Sequence, residues 1–459
     1  MKKIYKYSYI IIFIFSTILL FGCSSNKYRD FIYEKKGDEI IIKQLKSNAF
    51  NNTIDLIVPD GVTEIYSAAL RGEKLKDITL PKSIKKIHYF PGSYINIDTL
   101  YYDGSIVDWC RITMDGITDS SSGSININRF CYYEEKGEII HKNKKYSRLT
   151  DLFIPNEVEE IGEWQFSGIN SVISVEFSNG VKKIGKYAFY GCDSLQVVKL
   201  PEEINIVDDC AFLSCKSVIR IYVPKKEINF GKAVFDANYY NIYFAGNVND
   251  WLKLSFDYYS FKNNHNLYFA NNSTPTSDAD YYLLTDLIIP EGVTVINPWQ
   301  FNNVIEIKNV VIPKSVKDIK GRAFEGLYGV RFYYDGSIEN WLSIDFDSCV
   351  ANPIYEKGSI FRILDESGAI EYNGKKYKGD YQIIIPNTIS EIKTAQFAGF
   401  EFIQPIYIPK SITKINQNAF SNCSGATSVF YEGTEEDWNE ITIEKGNNYL
   451  ENVTIIYNS

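Results

Sequence analysis

The chain has 459 residues, of which 45% are hydrophobic, and a formal net charge of −9. This length is sufficient for a large folded core. The acidic balance, without a Lys/Arg cluster, argues against a nucleic-acid partner, because binding to the phosphate backbone requires a basic surface.

The first 22 residues have the features of a secretory signal. Three Lys residues within the first six positions precede an apolar run over residues 10–21, which is typical of such signals. The run is about a dozen residues long, whereas a membrane-spanning helix needs ~20, so a cleaved signal is favoured over an uncleaved membrane anchor. The letters LFGC, ending at Cys23, resemble a bacterial lipobox. The resemblance implies a mature lipoprotein with lipid attached to Cys23 and no other membrane contact.

A repeat of 22 or 23 residues runs through the rest of the chain. Each copy is marked by one Pro, replaced by Ser in one copy, and the copies form groups of two, four, two and two. The ten markers are Pro59, Pro81, Pro155, Ser178, Pro201, Pro224, Pro290, Pro313, Pro386 and Pro409.

The apolar positions of one copy follow the pattern L-x-x-V-x-L-P-x-x-V-x-x-I-x-x-x-A-F-x-x-C. Alternation before Pro predicts a short strand, and the three-residue spacing after it is too tight for a regular helix. Pro has no N–H to donate and ends the strand. Stacked copies bury apolar sides that one copy cannot bury alone. The pattern predicts a β-rich solenoid with short parallel strands on one face and irregular arcs opposite.

This pattern resembles the BspA-like, treponemal-type leucine-rich repeat family of bacterial surface lipoproteins, over about residues 45–430. The resemblance implies a leucine-rich-repeat solenoid and a protein-binding role, since the family includes adhesion-type surface proteins. Among the departures, Gln165, Gln300 and Gln396 replace the repeat Ala in the first copies of three groups.

Four similar islands close the groups: YYDGSIVDW, YFAGNVNDW, YYDGSIENW and FYEGTEEDW. Each has Ser, Asn or Thr three residues before Asp or Asn, which predicts an N-capped short helix whose Trp plugs the core. A catalytic role for the island acids is the alternative, but no constellation supports it.

Inserted hairpins are predicted at 31–42, 130–140 and 361–370, and a polar loop at 271–280. The resulting units are 1–22 (signal), 23–125 (tether and first group), 126–262 (second group), 263–358 (third group) and 359–459 (fourth group).

Three of the eight Cys residues occupy one repeat position. Cys192, Cys215 and Cys423 each lie three residues after a repeat Phe, and Leu327 fills the same position in another copy. A position that accepts Leu is a core position, and free Cys behaves as a small hydrophobe. A disulfide between Cys192 and Cys215 is the alternative.

The sequence contains no recognisable reaction centre, cofactor motif or metal-ligand spacing. The three His residues are isolated, and two matches to the Ser-x-x-Lys pattern, at Ser83 and Ser411, fall on repeat positions. We expect no enzyme, cofactor or metal. An enzyme acting on glycans through carboxylates is the least favoured alternative.

Binding is therefore assigned to the outward positions of the strands. In the second group, Glu176, Lys199, Arg220 and Tyr222 form the candidate protein-binding face, and Arg and Tyr are enriched at binding hot spots. A solvated sheet face without a partner is the alternative for each of these residues. The first copies point Ile57, Phe153, Ile288 and Ile384 outward. We expect the preceding hairpins to cover these four.

The favoured function is a lipid-anchored cell-envelope protein, at the outer membrane or cell surface, that binds host or matrix protein. A periplasm-facing structural or assembly scaffold without an adhesive role is the alternative. Fold alone does not identify a ligand.

Overall fold

The computed structural model describes residues 28, 30–46, 54–70, 75–88, 95–115, 125–378, 383–401, 405–425 and 427–458. The predicted signal and Cys23 lie outside the described residues. Within the described part of the chain, no helix has the length and apolar character that crossing a membrane requires.

The chain folds into many short strands and five short helices within these ranges. From here on, a group is the set of strands that belong to one front sheet and its arc sheet, so each of the first three groups ends later than the unit predicted from the sequence. The first group contains β1 (Phe31–Lys36), β2 (Glu39–Leu45), β3 (Ile54–Ile57), β4 (Glu64–Tyr66), β5 (Leu75–Leu80), β6 (Lys86–His88), β7 (Ile95–Tyr102), α1 (Ile106–Cys110), β8 (Thr113–Asp115), β9 (Ile125–Tyr133), β10 (Ile139–His141) and β11 (Lys144–Arg148). The second contains β12 (Asp151–Ile154), β13 (Glu160–Ile161), β14 (Ser174–Phe177), β15 (Lys183–Ile184), β16 (Val197–Lys199), β17 (Ile206–Val207), β18 (Arg220–Val223), β19 (Asn229–Phe230), β20 (Tyr240–Phe244), α2 (Val248–Trp251), β21 (Ser255–Phe256), β22 (His265–Ala270) and β23 (Tyr281–Leu283).

The third group contains β24 (Asp286–Ile288), β25 (Val295–Ile296), β26 (Asn309–Pro313), β27 (Asp318–Ile319), β28 (Arg331–Asp335), α3 (Ile338–Leu342), β29 (Asp345–Phe346), β30 (Ile360–Leu364), β31 (Ile370–Tyr372) and β32 (Lys375–Lys378). The fourth contains β33 (Ile383–Ile384), β34 (Glu391–Ile392), β35 (Ile406–Ile408), β36 (Lys414–Ile415), β37 (Ser428–Tyr431), α4 (Glu435–Asn439), β38 (Thr442–Ile443), α5 (Asn448–Asn452) and β39 (Thr454–Tyr457). Short 3-10 helices span Ser67–Leu70, Asp278–Asp280, Cys349–Ala351 and Pro353–Tyr355.

Each coil contributes one strand before its Pro to a front sheet, as the repeat predicts. In the second group the front sheet has the order β12-β14-β16-β18-β20-β22-β23, and its first six strands are parallel. Val198 lies opposite Val175 on one side and Ile221 on the other. A register of one full repeat places equivalent residues side by side, so the predicted leucine-rich-repeat solenoid is confirmed.

The arcs are more regular than predicted, because they form a second parallel sheet. In the second group this arc sheet has the order β13-β15-β17-β19-β21. Each strand is only two residues long. Stacked coils of equal length bring the same backbone groups into contact at every turn, so these short segments can pair.

Each of the four islands forms a coil of the solenoid in addition to placing its Trp in the core. Their strands β7, β20, β28 and β37 join the front sheets, and a further parallel strand, β9, β22, β30 or β39, follows each. These coils lack the Pro marker, which is why the sequence pattern missed them. The helix prediction is confirmed: the N–H of Asp108 donates to the Ser105 hydroxyl, and Trp109 is buried.

Two of the three predicted hairpins have a different pairing. β1 pairs with β2 as predicted. After β9, however, the next strand β10 pairs with β11, and β11 in turn pairs with β9. The same order, β30-β32-β31, occurs after β30. In both cases the second strand of the hairpin, β11 or β32, lies next to the front sheet. This strand carries a buried ring, Tyr146 or Tyr377, that packs edge-on against Tyr101 or Tyr333 of the sheet.

One contiguous hydrophobic cluster runs from Phe31 to Leu450. Its centre is a column of parallel repeat rings, in which the centroids of Phe189 and Phe212, and of Phe212 and Phe235, are 4.9 Å apart. Cys192 and Cys215 lie beside this column, both are free thiols, and the alternative of a disulfide is wrong for this structure. The repeat Cys position is a core position, as predicted.

Reciprocal hydrogen bonds join each of the first three groups to the next. The indole N–H of Trp251 donates to the backbone carbonyl of Gln300 at 2.8 Å, and the Gln300 amide donates to the carbonyl of Trp251 at 2.7 Å. The pairs Trp109–Gln165 and Trp341–Gln396 repeat this arrangement. The three Gln departures from the repeat therefore have a structural role at the seams. The unit boundaries near residues 125, 262 and 358 stay predictions.

Candidate functional site

The front sheet of the second group places three of the four predicted binding residues in one row. Glu176 lies opposite Lys199, and Lys199 lies opposite Tyr222, on neighbouring parallel strands. Arg220 lies two residues before Tyr222 and points to the same side of β18. The structure thus brings together the residues that strand alternation selected.

The row begins with an exposed ion pair. The Lys199 Nζ lies 3.3 Å from the Glu176 carboxylate, and both side chains are about half exposed. Exposed pairs of this kind contribute ~1 kcal/mol or less to stability. Both charges therefore remain accessible for contacts with a ligand.

A tyrosine ladder continues the row beyond the ion pair. The ring of Tyr222 stacks on Tyr243 at 5.0 Å, and Tyr243 stacks on Tyr268 at 4.8 Å. Tyr281 of β23 contacts Tyr243 edge-on. The sequence interpretation missed these additional rings, although Tyr243 stands in an island that could have been aligned with the repeat strands.

The polar loop at 271–280 packs against the face instead of serving only as a seam. The Tyr222 hydroxyl donates to the Asp278 carboxylate at 2.5 Å, and the Arg220 Nε lies 3.6 Å from the same carboxylate. Burial and this bond raise the pKa of Tyr222 above its ordinary value. Arg220 and Tyr222 are thus held by Asp278, and the face is less open at this end than the sequence suggested.

Internal hydrogen bonds hold the loop at 271–280 in one conformation, so it can form one side of a groove. The Asp280 carboxylate accepts hydrogen bonds from the backbone N–H groups of Thr276 and Ser277, at 2.8 and 2.9 Å, which lower the pKa of Asp280. The loop and the front strands enclose a groove of about 610 Å³, which Glu176, Lys199 and Tyr222 line. Its mixture of charges, rings and backbone suits an extended peptide segment.

The four outward apolar residues of the first copies are not covered, so that prediction is wrong. The exposed fractions are 48% for Ile57, 56% for Phe153, 41% for Ile288 and 57% for Ile384. The hairpins instead fold back over the coils that precede them, since β11 pairs with β9 in the first group and β32 pairs with β30 in the third.

The residues considered for chemistry have structural partners. The hydroxyls of Ser83 and Ser411 donate to carbonyl oxygens of the preceding coil, those of Val62 and Ile389, at 2.8 and 2.6 Å. His265 is buried in the core. Among the described residues, no group of three or more His, Cys, Asp and Glu side chains is arranged to hold a metal.

A family model for the BspA type leucine rich repeat region matches residues 38–107, 138–268, 279–350 and 377–458. These segments cover more than half of the chain. The chain belongs to this family.

Several solved structures of leucine-rich repeat proteins are similar to this BspA-type chain. A leucine rich cell surface protein from Faecalibacterium prausnitzii is 18% identical, over 91% of this chain and 97% of its own, with a TM-score of 0.35. A Bacteroides ovatus leucine-rich repeat protein is 16% identical, over 94% and 98%, with a TM-score of 0.38. The pneumococcal vaccine antigen PcpA is 13% identical, over 94% and 98%, with a TM-score of 0.38.

The family assignment rests on the match to the family model, and the solved structures add no argument to it. No curated protein sequence is similar enough to count as a relative of the chain.

Proposed function

We propose that this BspA-type protein is an exported lipoprotein, anchored through Cys23, that binds a protein ligand at the cell envelope. The favoured setting is the outer membrane or cell surface, with host or matrix protein as the ligand. The groove on the second group carries the proposal, because Glu176, Lys199 and Tyr222 line it together with a fixed loop. Arg220 lies beside Tyr222 on the same strand and pairs with Asp278 of that loop.

The chemistry of this groove favours a polypeptide ligand. Rings and Arg side chains supply contact area and hydrogen bonds at protein interfaces. The Glu176–Lys199 pair offers one acceptor and one donor to a polar segment. We propose no catalytic role, no cofactor and no nucleic-acid partner, because the sequence carries no recognised catalytic or cofactor motif and its net charge of −9 disfavours binding to a phosphate backbone.

The first test replaces Arg220 and Tyr222 together with Ala and measures capture of purified extracellular-matrix proteins by the mature chain. We expect a loss of at least tenfold in affinity, because the double change removes a ring that lines the groove and both contacts that hold Asp278 of the loop in place. Charge reversal at Lys199, which pairs with Glu176 on the neighbouring strand, should also weaken capture.

A matched control changes Lys182 and Glu159 to Ala, an exposed ion pair of the arcs. Capture should be unchanged in this variant. Equal capture by all variants would remove the groove as the binding site.

The second candidate, a scaffold that faces the periplasm, makes a different prediction for intact cells. Protease added outside the cell cuts the chain only if it is displayed at the surface. Full protection, together with cleavage after the cells are opened, would favour the scaffold.

A further inference from the structure

The front sheets of the first three groups are each closed by an antiparallel strand. β11 pairs with β9, β23 with β22, and β32 with β30. The front sheet of the fourth group runs β33-β35-β37-β39, and in the described ranges no strand pairs with the outer edge of β39. An edge strand presents unpaired N–H and C=O groups that can pair with another chain.

Two of these closures are hairpins with the same chemistry, which we call clasps: residues 139–148 and 370–378. In the second clasp, Tyr372 stacks on Tyr333 of the front sheet with centroids 4.2 Å apart. The Tyr377 hydroxyl and the Lys375 ammonium group both bond to the Asp335 carboxylate. As a result, Tyr333 is only 4% exposed.

The first clasp uses equivalent residues. His141 stacks on Tyr101 with centroids 3.8 Å apart. Lys144 and Tyr146 bond to the Asp103 carboxylate at 2.6 and 2.5 Å. In both clasps an aromatic ring is followed by Lys three residues later and Tyr five residues later.

The fourth group has, on its front sheet, residues equivalent to those that the clasps contact in the first and third groups. Its C-terminal face is the row Ile384, Tyr407, Phe430 and Ile456. Phe430 occupies the island position of Tyr101 and Tyr333, and Glu432 occupies that of Asp103 and Asp335.

The C-terminal face is apolar and accessible. Phe430 stacks on Tyr407 at 4.8 Å, and the face forms a trough of about 590 Å³ that Glu432 also lines. Ile384 and Ile456 are 57% and 38% exposed. In the third group the equivalent residue beside Tyr333, Val311, is 1% exposed under its clasp.

We propose that the C-terminal face binds an antiparallel β-hairpin of a partner protein that carries the clasp chemistry. Its ring stacks on Phe430, its Lys and Tyr bond to Glu432, and its strand pairs with the edge of β39. Strand addition of this kind supplies affinity through the backbone and specificity through the side chains. The clasps of this chain are already held by their own front sheets, which favours another protein over a second copy.

The probe is a labelled synthetic peptide with the sequence of residues 365–378, DESGAIEYNGKKYK. Its Asn-Gly turn has positive φ at both residues, as a two-residue hairpin turn requires. We expect saturable one-to-one binding to the full chain by fluorescence anisotropy, and protection of the β39 amides in hydrogen exchange.

Substitutions on both partners test the assignment. Glu432→Gln and Phe430→Ala should each weaken peptide binding at least tenfold, while Glu440→Gln, a change of another exposed acid in this group, should leave it unchanged. A peptide with Tyr372→Ala and Tyr377→Phe should bind at least tenfold more weakly. Thermal melts of the protein variants check that the fold is intact.

No saturable binding, or binding that Glu432→Gln and Phe430→Ala leave unchanged, would overturn the proposal. Self-association of the full chain that Phe430→Ala abolishes would also overturn it, in favour of a second copy as the occupant. The proposal is independent of the groove on the second group, so loss of capture by Arg220 and Tyr222 variants does not bear on it.

Discussion

Buried thiols at the repeat Cys position donate hydrogen bonds to the backbone of a neighbouring coil. The Cys192 thiol donates to the carbonyl of Phe166 at 3.1 Å, and the Cys215 thiol to that of Phe189 at 3.0 Å. Burial raises the pKa of Cys215 well above its ordinary value. Such a thiol is a weak nucleophile, because the thiolate is the reactive form.

His265 gives the core a predictable pH dependence. It is 2% exposed, and its Nδ1 lies 2.9 Å from the Asn263 carbonyl oxygen. Burial lowers the pKa of His265 from 6.5 to about 4 in the folded protein. The unfolded chain therefore binds a proton that the folded chain excludes between these values, and the folded state loses stability as pH falls from 6.5 towards 4.

We expect this residue to remove about 2 kcal/mol of stability between pH values of about 7.5 and 5. Urea unfolding of the wild type and of His265→Gln at both pH values measures the effect. The variant should show a smaller decrease than the wild type. Parallel pH profiles for the two proteins would contradict the prediction.

At the scale of elements, each group is fastened to the next through its Trp helix. The Trp and the Gln each donate to the backbone carbonyl of the other residue, so neither buried side-chain N–H lacks a partner. Gln300 is 1% exposed. Loss of one partner in such a buried pair costs more than a surface hydrogen bond contributes, because the remaining polar group stays without water.

Replacing Gln300 with Ala should destabilise the protein by about 1–3 kcal/mol, since the Trp251 carbonyl keeps only its bond from the Leu254 N–H and a void forms in the buried seam. Chemical denaturation measures the loss. Hydrogen exchange should increase most at the seam between the second and third groups.

The exposed Gln196 provides the matched control, because Gln196→Ala removes a side chain of the same type outside any seam. Its free energy of unfolding should change by less than about 0.5 kcal/mol. Equal effects of the two variants would contradict a fastening role for Gln300.

At the scale of the whole molecule, the core is continuous along the chain but is built from neighbouring contacts. Phe212 stacks only on the rings one repeat away, Phe189 and Phe235. In stacked-repeat proteins, stability is approximately a sum of coil terms and nearest-neighbour interface terms. A substitution that destabilises one coil should therefore reduce stability most in the group that contains this coil.

Phe212→Ala should cost about 3–5 kcal/mol, because it leaves a cavity between two stacked rings. Hydrogen exchange should show loss of protection concentrated in β14, β16 and β18, with little change in β35 and β37. Phe212→Leu, which fills most of the volume, should have a smaller effect. A uniform loss over all four groups would show that the chain unfolds as a single cooperative unit instead.

The sequence by itself determined the coil. The marker Pro, the repeat Phe and the alternation before Pro recur at a fixed spacing, so one copy defines the environment of the next. Phe189, Phe212 and Phe235 could therefore be assigned to the core, and the shared row of Glu176, Lys199 and Tyr222 follows from the strand period of two. Leu327 in the position of Cys192 identified that position as apolar.

Only the tertiary structure decided which segments close the sheets and cover the faces. Tyr222 meets Asp278 across 56 residues, Gln165 meets Trp109 across 56, and Tyr377 meets Asp335 across 42. These pairs follow no period, because each joins a repeat position to an inserted segment or to another group. A repeating pattern specifies contacts between equivalent positions, whereas the path of an insertion is set by the sheet edge and the carboxylate that it meets after folding.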